Sequence, residues 1–138
     1  MNKRLLKFFN YRLFSTRRYT EKHEWIEQIK DSKKFLIGIS DYAQEALGGV
    51  VYLSIPEIGD SVKKNNSILE IESPKAVSEI YAPADLVISK INQEVQEDYS
   101  LINTSAETTW LVEVILENPD QIKNLMNKKN YDDFIKNI

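Results

Sequence analysis

Two stretches of alternating apolar and polar residues, 67–72 and 76–81, are separated by only Ser73, Pro74 and Lys75. Successive side chains of a strand point to opposite faces of a sheet, so each stretch predicts a half-buried β-strand. Two such strands joined so closely predict an antiparallel hairpin whose two-residue tip is Pro74-Lys75. Proline at the first tip position has its φ already set, which suits a type I turn and a stiff tip.

This tip would present the side chain of Lys75 to solvent from a rigid support. A primary amine that another enzyme acylates needs such access, so Lys75 is the candidate modification site. Lysines at hairpin tips are also common as merely solvated residues, and the geometry alone does not separate the two interpretations.

The rest of the chain reads mostly as short strands bounded by turn residues. Further strands are predicted at residues 34–40, 50–55, 61–63, 86–91 and 110–116. A short helix is predicted at residues 42–47, with Ser40 or Asp41 as its N-cap and Gly48 at its stop. A helical tail is predicted for residues 118–138. At least six strands with so little helix favour a small, mainly β sandwich or barrel-like domain.

The composition excludes several kinds of site. There is no cysteine, which excludes disulfide bonds and thiolate chemistry, so any sulfur redox chemistry has to arrive on a cofactor. The lone histidine, His23, excludes a multi-histidine metal site and is expected to be a partly buried, hydrogen-bonded residue beside Trp25. No uncharged stretch approaches the ~20 residues that cross a bilayer, so no membrane span is expected.

The charge is distributed unevenly along the chain. Residues 1–18 carry six basic side chains and no acidic one, whereas the remainder carries 12 basic and 21 acidic ones. The spacing of Leu5, Leu6, Phe8 and Phe9 gives this basic segment an apolar helix face, which is typical of a mitochondrial transit peptide. A nucleic-acid-binding arm and a membrane-surface helix are the alternatives for the segment. The acidic remainder argues against nucleic-acid binding by the domain itself.

We therefore expect a transit peptide at residues 1–19, which would direct the protein to the mitochondrial matrix, followed by one domain at residues 20–138. Two places resemble cleavage sites of the matrix peptidase, and the sequence does not choose between them. They are Arg12-Leu13-Phe14 before Ser15 and Arg17-Arg18-Tyr19 before Thr20.

Six short motifs follow one another between residues 19 and 134. They are His23-Glu24-Trp25, GISDYAQEALG at 38–48, LSIPEIG at 53–59, Glu72-Ser73-Pro74-Lys75-Ala76, Leu101-Ile102-Asn103 and Trp110-Leu111. Their order and register resemble those of the H proteins of the glycine cleavage system. Each motif alone is weak, but six in register are specific.

The resemblance implies a mainly β, hammerhead-like lipoyl/biotinyl domain, in which two small antiparallel sheets pack face to face. A short helix would follow the first strands, and the C-terminal tail would be helical. It also implies a lipoyl group in amide linkage to Lys75, attached by a lipoyl-attaching enzyme at the motif formed by Glu72, Ser73 and Ala76. The missing cysteines fit this, because the dithiol comes with the cofactor.

The resemblance further implies a non-enzymatic carrier of the glycine cleavage system. The carrier would take the aminomethyl group of glycine from glycine decarboxylase (P protein) to aminomethyltransferase (T protein). Dihydrolipoamide dehydrogenase (L protein) would then reoxidise the dithiol. Glu24 and Glu79 would lie near a surface cleft that shelters the cationic aminomethyl-lipoyl group. Two merely solvated acids are the alternative for this pair.

Three features depart from the family pattern. Pro74 stands where the family usually has valine, Leu86 falls near a turn glycine of the family, and residues 107–109 replace a glycine-rich loop. A type I tip accepts Pro74 without strain, and the other two departures are loop changes away from the hairpin.

Two other functions stay open at this point. One is an H-like relay that donates lipoyl groups for lipoylation of 2-oxoacid dehydrogenases, and the other is an unmodified interaction module of the same fold. The intact Glu72, Ser73, Lys75 and Ala76 argue against the module. A biotin carrier is disfavoured, since its lysine resembles Met-Lys-Met and this chain has Pro-Lys-Ala.

Overall fold

The computed structural model describes residues 16–138. The apolar helix face expected in the N-terminal segment and the cleavage motif before Ser15 lie outside the described residues. Within the described part, nine strands form two antiparallel sheets. The strands are β1 Arg18–Tyr19, β2 Glu24–Gln28, β3 Lys34–Ile39, β4 Tyr52–Leu53, β5 Ser61–Val62, β6 Ser67–Ser73, β7 Ala76–Tyr81, β8 Leu86–Ile91 and β9 Val112–Leu116.

The two sheets differ in size and pack around one core. The larger sheet has the order β1-β2-β3-β9-β8-β5, and the smaller one has the order β4-β6-β7. Fully buried apolar side chains from both sheets, such as Ile26 and Ile37 of the larger and Ile71 of the smaller, form one cluster. Burial of each such side chain contributes about 1.5–3 kcal/mol, which makes this cluster the main stabilising feature. The mainly β, two-sheet fold predicted from the sequence is confirmed.

Short helices fill the connections between strands. They are α1 Asp41–Leu47, α2 Gln93–Glu97, α3 Ser100–Thr104, α4 Lys128–Lys136 and 3-10 turns at Ala106–Thr108 and Pro119–Ile122. The prediction of α1 is confirmed: Ser40 caps it by accepting the Ala43 N–H, and Gly48 ends it at a φ of 82°. The sequence did not predict α2 and α3, because five residues are too few to show a helical period. Within residues 16–138, none of the helices has the length and apolar character to cross a bilayer.

The helical tail predicted for residues 118–138 is not one helix. Pro119 begins only a 3-10 turn, and α4 begins nine residues later at Lys128, with Asn127 as its N-cap. Between them, the backbone N–H of Met126 donates to the carbonyl of Tyr19 at 3.1 Å, and its carbonyl accepts from the Tyr19 N–H at 2.7 Å. A helix cannot continue through a residue whose backbone groups are engaged by another segment.

A second apolar cluster covers the outer face of the larger sheet. It contains Tyr19, Trp25 and Tyr131, with Tyr19 and Trp25 paired across β1 and β2 and Tyr131 placed on them by α4. The rings of Tyr19 and Tyr131 stack with centroids 4.4 Å apart. Tyr19 is only 1% exposed, so its side chain packs with the domain that was expected to begin at Thr20. The boundary at Thr20 and the transit peptide both stay predictions.

Gly38 provides a sharp test of this second cluster. It pairs directly with Trp25, and a Cβ added at Gly38 would lie 2.5 Å from the Trp25 ring. Because such an overlap has to displace the indole, we expect Gly38→Ala to lower the free energy of unfolding by about 1–3 kcal/mol in urea titrations. Gly49→Ala is the matched control, since a Cβ there meets no atom within 4 Å. Equal stability of the two variants would contradict the packing described here.

Candidate functional site

The predicted hairpin forms from β6 and β7. Ser73 pairs with Ala76, which leaves Pro74 and Lys75 as the two tip residues. Neither tip residue has a positive φ, in agreement with the expected type I turn. The hydroxyl of Ser73 accepts from the Ala76 N–H at 3.2 Å and donates to the Ala76 carbonyl at 3.3 Å. The two-residue tip is thus confirmed, and these bonds stiffen it.

The side chain of Lys75 extends from this tip and is exposed. Its stem lies against Gly48 at the end of α1, where a Cβ built on Gly48 would be 3.0 Å from the Lys75 Cε and 3.7 Å from its Nζ. Gly48 also has a φ of 82°, a conformation that side-chain-bearing residues rarely adopt. A larger residue at this position would be strained and would crowd the lysine.

Glu24 lies on β2 and is 2% exposed. Its Oε2 accepts from the Tyr81 N–H at 2.7 Å, and its Oε1 accepts from the Thr20 hydroxyl at 2.8 Å. Burial raises the pKa of Glu24, an effect that these two hydrogen bonds and the charge of Lys22 oppose. Since β2 belongs to the larger sheet and Tyr81 to the smaller, this carboxylate joins the two sheets.

Glu79 lies on β7 and is exposed. It accepts a hydrogen bond from the Tyr81 hydroxyl at 2.7 Å, which raises the pKa of that hydroxyl. The ammonium of Lys22 lies 3.8 Å from the centroid of the same ring, within the range of a cation–π contact. Tyr81 therefore contacts both acids, Glu24 through its amide and Glu79 through its hydroxyl. Tyr81 was not among the predicted site residues, because its only signal in the sequence is its place at the end of the second alternating stretch.

Two surface grooves lie beside this cluster. One, of about 280 Å³, is lined by Glu24, Tyr81 and Lys22 together with residues of the C-terminal segment such as Met126. The other, of about 270 Å³, lies between α1 and β7. Its lining includes Lys22, His23, Ala43, Ala46, Ala76 and Ser78. Lys22 thus contributes to both grooves, whereas Glu79 lines neither of them.

His23 has the structural role expected from the sequence. Its Nδ1 lies 2.8 Å from the Tyr131 hydroxyl, which in turn lies 2.7 Å from the hydroxyl of Ser40. Burial lowers the pKa of His23 and raises that of Tyr131 to about 12. The chain of bonds connects α4 to the N-cap of α1, so the partly buried, hydrogen-bonded histidine of the sequence analysis is confirmed.

The departures from the family pattern are accommodated locally. No residue of the turn before Leu86 has a positive φ. That turn is held by Asp85, which accepts from the Lys64 N–H at 2.9 Å and from the Gln121 side chain at 3.2 Å. The hydrogen bond from Lys64 is the main reason why the pKa of Asp85 lies below its ordinary value. Residues 107–109 include the end of a 3-10 turn, in which Glu107 accepts from the Tyr19 hydroxyl at 2.9 Å.

Comparison with known proteins identifies the family. Residues 17–138 match the family model described as glycine cleavage H-protein. The chain belongs to the glycine cleavage H-protein family. It is 42% identical over 124 residues to the mitochondrial glycine cleavage system H protein of Drosophila melanogaster, covering 89% of this chain and 74% of that protein. It is 37% identical over 121 residues to the probable H protein of Pyrococcus abyssi, covering 87% and 90%.

A solved structure supports the same assignment. The crystal structure of a glycine cleavage system H protein from Mycobacterium marinum matches with a TM-score of 0.78 and 31% identity, covering 88% of this chain and 97% of that one. H proteins are the lipoyl carriers of the glycine cleavage system, and this chain is therefore a lipoyl carrier of that system. Family membership does not favour the relay or the interaction module as alternatives.

The buried carboxylate makes a testable contribution to stability. The pKa of Glu24 is raised in the folded protein, so the folded state holds its proton at pH values where the unfolded chain, with a pKa near 4.5, has lost it. Stability therefore decreases as the pH rises above about 4.5 toward the raised value. We expect Glu24→Gln, which stays neutral, to lack this decrease when free energies of unfolding are measured by urea titration between pH 4 and pH 8. Parallel curves of unfolding free energy against pH for the two proteins would contradict a raised pKa of Glu24 in the folded state.

Proposed function

We propose that the protein carries lipoate in amide linkage on Lys75. On this attachment it would convey the aminomethyl group of glycine from glycine decarboxylase (P protein) to aminomethyltransferase (T protein), with reoxidation by dihydrolipoamide dehydrogenase (L protein). The observation that carries the proposal is the exposed Lys75 amine at the two-residue tip of a hairpin stiffened by Ser73. When bound, the lipoyl group supplies the dithiolane sulfurs that accept and release the aminomethyl group. The protein itself acts as a carrier and as a substrate of its partners.

The residues around Lys75 fit a long covalent attachment. Lys75 is exposed, and the absence of a side chain at Gly48 leaves room for the lysine stem. The groove between α1 and β7 begins at Ala76, the residue next to the attachment point. Small side chains line this groove, namely Ala43, Ala46 and Ser78. They leave space in which an attached arm could lie.

The carboxylates around Tyr81 suit a cationic cargo. An ammonium brought toward the groove that Glu24 lines would meet a carboxylate of low solvent exposure, where electrostatic attraction is stronger than in water. Glu79 lies on β7 with Tyr81 and accepts the hydrogen bond of the Tyr81 hydroxyl. We therefore assign Glu24 and Glu79 to retention of the cargo, with Tyr81 as the residue that positions both.

The outer face of the smaller sheet would meet the partner enzymes and the lipoyl-attaching enzyme. Tyr52, Glu72 and Val77 are paired in one row across β4, β6 and β7, next to the tip, and Tyr52 and Val77 are 51% and 61% exposed. Glu70 pairs with Glu79 in the following row. An exposed aromatic and an aliphatic side chain among three acids would complement a basic, partly apolar face.

We place this carrier in the mitochondrial matrix. The support is the basic, acid-free segment of residues 1–18 and the mitochondrial naming of the Drosophila relative. Related H proteins also occur in bacteria and archaea, so the family by itself does not give the compartment. A reporter protein fused to residues 1–19 should accumulate in mitochondria, and a cytosolic reporter would contradict this localisation.

The attachment site is tested by intact-mass spectrometry with peptide mapping of residues 71–81. We expect a lipoyl-sized mass increment on Lys75 in protein purified from its own cells. Lys75→Arg should lose this increment completely, because a guanidinium is not acylated in its place, whereas Lys90→Arg on β8 should keep it. An unmodified Lys75 in cells whose other lipoyl proteins are modified would overturn the proposal.

The role of Glu79 is tested by the lifetime of the loaded carrier. An exposed ion pair contributes about 0.2–1 kcal/mol, so Glu79→Gln should release ammonia and formaldehyde into solution up to about five times faster after loading by the P protein. The same variant should be lipoylated to the normal extent, as judged by intact mass. Release at the rate of the unaltered protein would show that Glu79 is merely solvated.

A further inference from the structure

We infer that Arg17, Arg18 and Tyr19 are retained in the mature protein, and that the precursor is cut before Ser15 rather than before Thr20. The inference goes beyond the carrier function, and its cleavage half rests on the proposed import into mitochondria. The two motifs look alike in the sequence, but the structure gives the residues of the second one a place in the fold.

The backbone around the Tyr19–Thr20 peptide bond is fully engaged. Tyr19 exchanges two hydrogen bonds with Met126, at 2.7 and 3.1 Å, and the Thr20 N–H donates to the Glu24 carbonyl at 2.9 Å. On the other side, β1 pairs Arg18 with Ile26 and Tyr19 with Trp25. A chain that begins at Thr20 loses all of β1, which leaves the edge of β2 open and the backbone groups of Met126 without these partners.

The side chain of Tyr19 is part of the second apolar cluster. It is 1% exposed, stacks on Tyr131 at 4.4 Å, and donates its hydroxyl hydrogen to Glu107 at 2.9 Å. The other carboxylate oxygen of Glu107, Oε2, is buried without a hydrogen-bond partner among the described residues. Removing Tyr19 would therefore open the cluster and take a hydrogen bond from an acid that is already short of donors.

Both arginines of the second motif also contact the fold. The Arg17 guanidinium lies 3.8 Å from the centroid of the Trp25 ring, donates to the Glu107 carbonyl at 2.6 Å and pairs with Glu27 at 3.0 Å. Arg18 donates to the Leu125 carbonyl at 3.4 Å. Immediately before them, the hydroxyl of Thr16 accepts from the Gln28 N–H at 3.1 Å. The arginines are thus accounted for by contacts in the folded protein, without a role in processing.

A peptidase acts on an extended chain before folding, so these contacts decide the stability of the mature protein rather than access to the cleavage site. A cut before Thr20 removes Tyr19 from the cluster that it forms with Trp25 and Tyr131. A cut before Ser15 leaves every contact of Thr16, Arg17, Arg18 and Tyr19 in place. The family match begins at residue 17, so Arg17, Arg18 and Tyr19 lie within the part of the chain that the family shares.

Two measurements test the inference. The first is the N-terminal residue of the endogenous mature protein, read by mass spectrometry, for which Ser15 is expected and Thr20 would overturn the inference. A mature chain that keeps Met1 would overturn the cleavage half together with the proposed import. Lipoylation, read separately on Lys75, would be unaffected by either outcome, so failure of the carrier function is distinguishable.

The second measurement compares recombinant chains that begin at Ser15 and at Thr20, each after an initiator methionine. Loss of a fully buried tyrosine and its neighbours should lower the melting temperature by about 10 °C or more, or abolish folding of the shorter chain. Tyr19→Ser in the longer chain should lower it by at least about 5 °C, whereas Lys30→Ser on an exposed loop should leave it unchanged. Equal melting of the two chains would overturn the inference.

Discussion

The hydrogen bond between the buried carboxylate of Glu24 and the amide of Tyr81 fixes the geometry on which the carrier site depends. Glu24 belongs to the larger sheet and Tyr81 to the smaller one, and the bond is 2.7 Å long with the acid 2% exposed. Burying a carboxylate is costly unless donors replace water, and Tyr81 and Thr20 supply them. From Tyr81, β7 leads directly to the tip, so the position of Lys75 is set at the far end of the hairpin.

The larger sheet is covered on both faces, which is how a chain of this size obtains two apolar clusters. One face packs against the smaller sheet, while the other receives Tyr131 from α4 next to Tyr19 and Trp25. Packing on this second face requires glycine at position 38, because the indole of Trp25 occupies the space where a Cβ would be. It also makes the two ends of the described chain mutually dependent, since Tyr19 and Met126 share a pair of backbone hydrogen bonds.

The sequence predicted those parts of the fold whose pattern is local. The hairpin and α1 follow from alternation, from the Ser40 cap and from Gly48, all of which act within a few residues. The strand β2 was missed because Glu24, Trp25 and Ile26 are all buried, which removes the alternation that marks a half-exposed strand. The split of the C-terminal tail and the role of β1 depend on contacts between Tyr19 and Met126, which are far apart in the sequence and leave no local signal. Tyr81 was missed for the same reason, since its amide binds Glu24 of β2, which is far away in the sequence.

The two acids near Tyr81 differ in what they can reveal about function. Glu24 joins the sheets, so any change there alters the position of the hairpin along with the charge of the groove. Glu79 is exposed and contacts only the hydroxyl of Tyr81 among the hydrogen bonds described, so its charge can be removed while the backbone of β7 stays in register. A carrier has to combine a fixed support with a side chain that different enzymes can reach. The buried acid provides the support, and under the proposed function the exposed acid is the one whose substitution tests retention of the cargo with the smaller change to the fold.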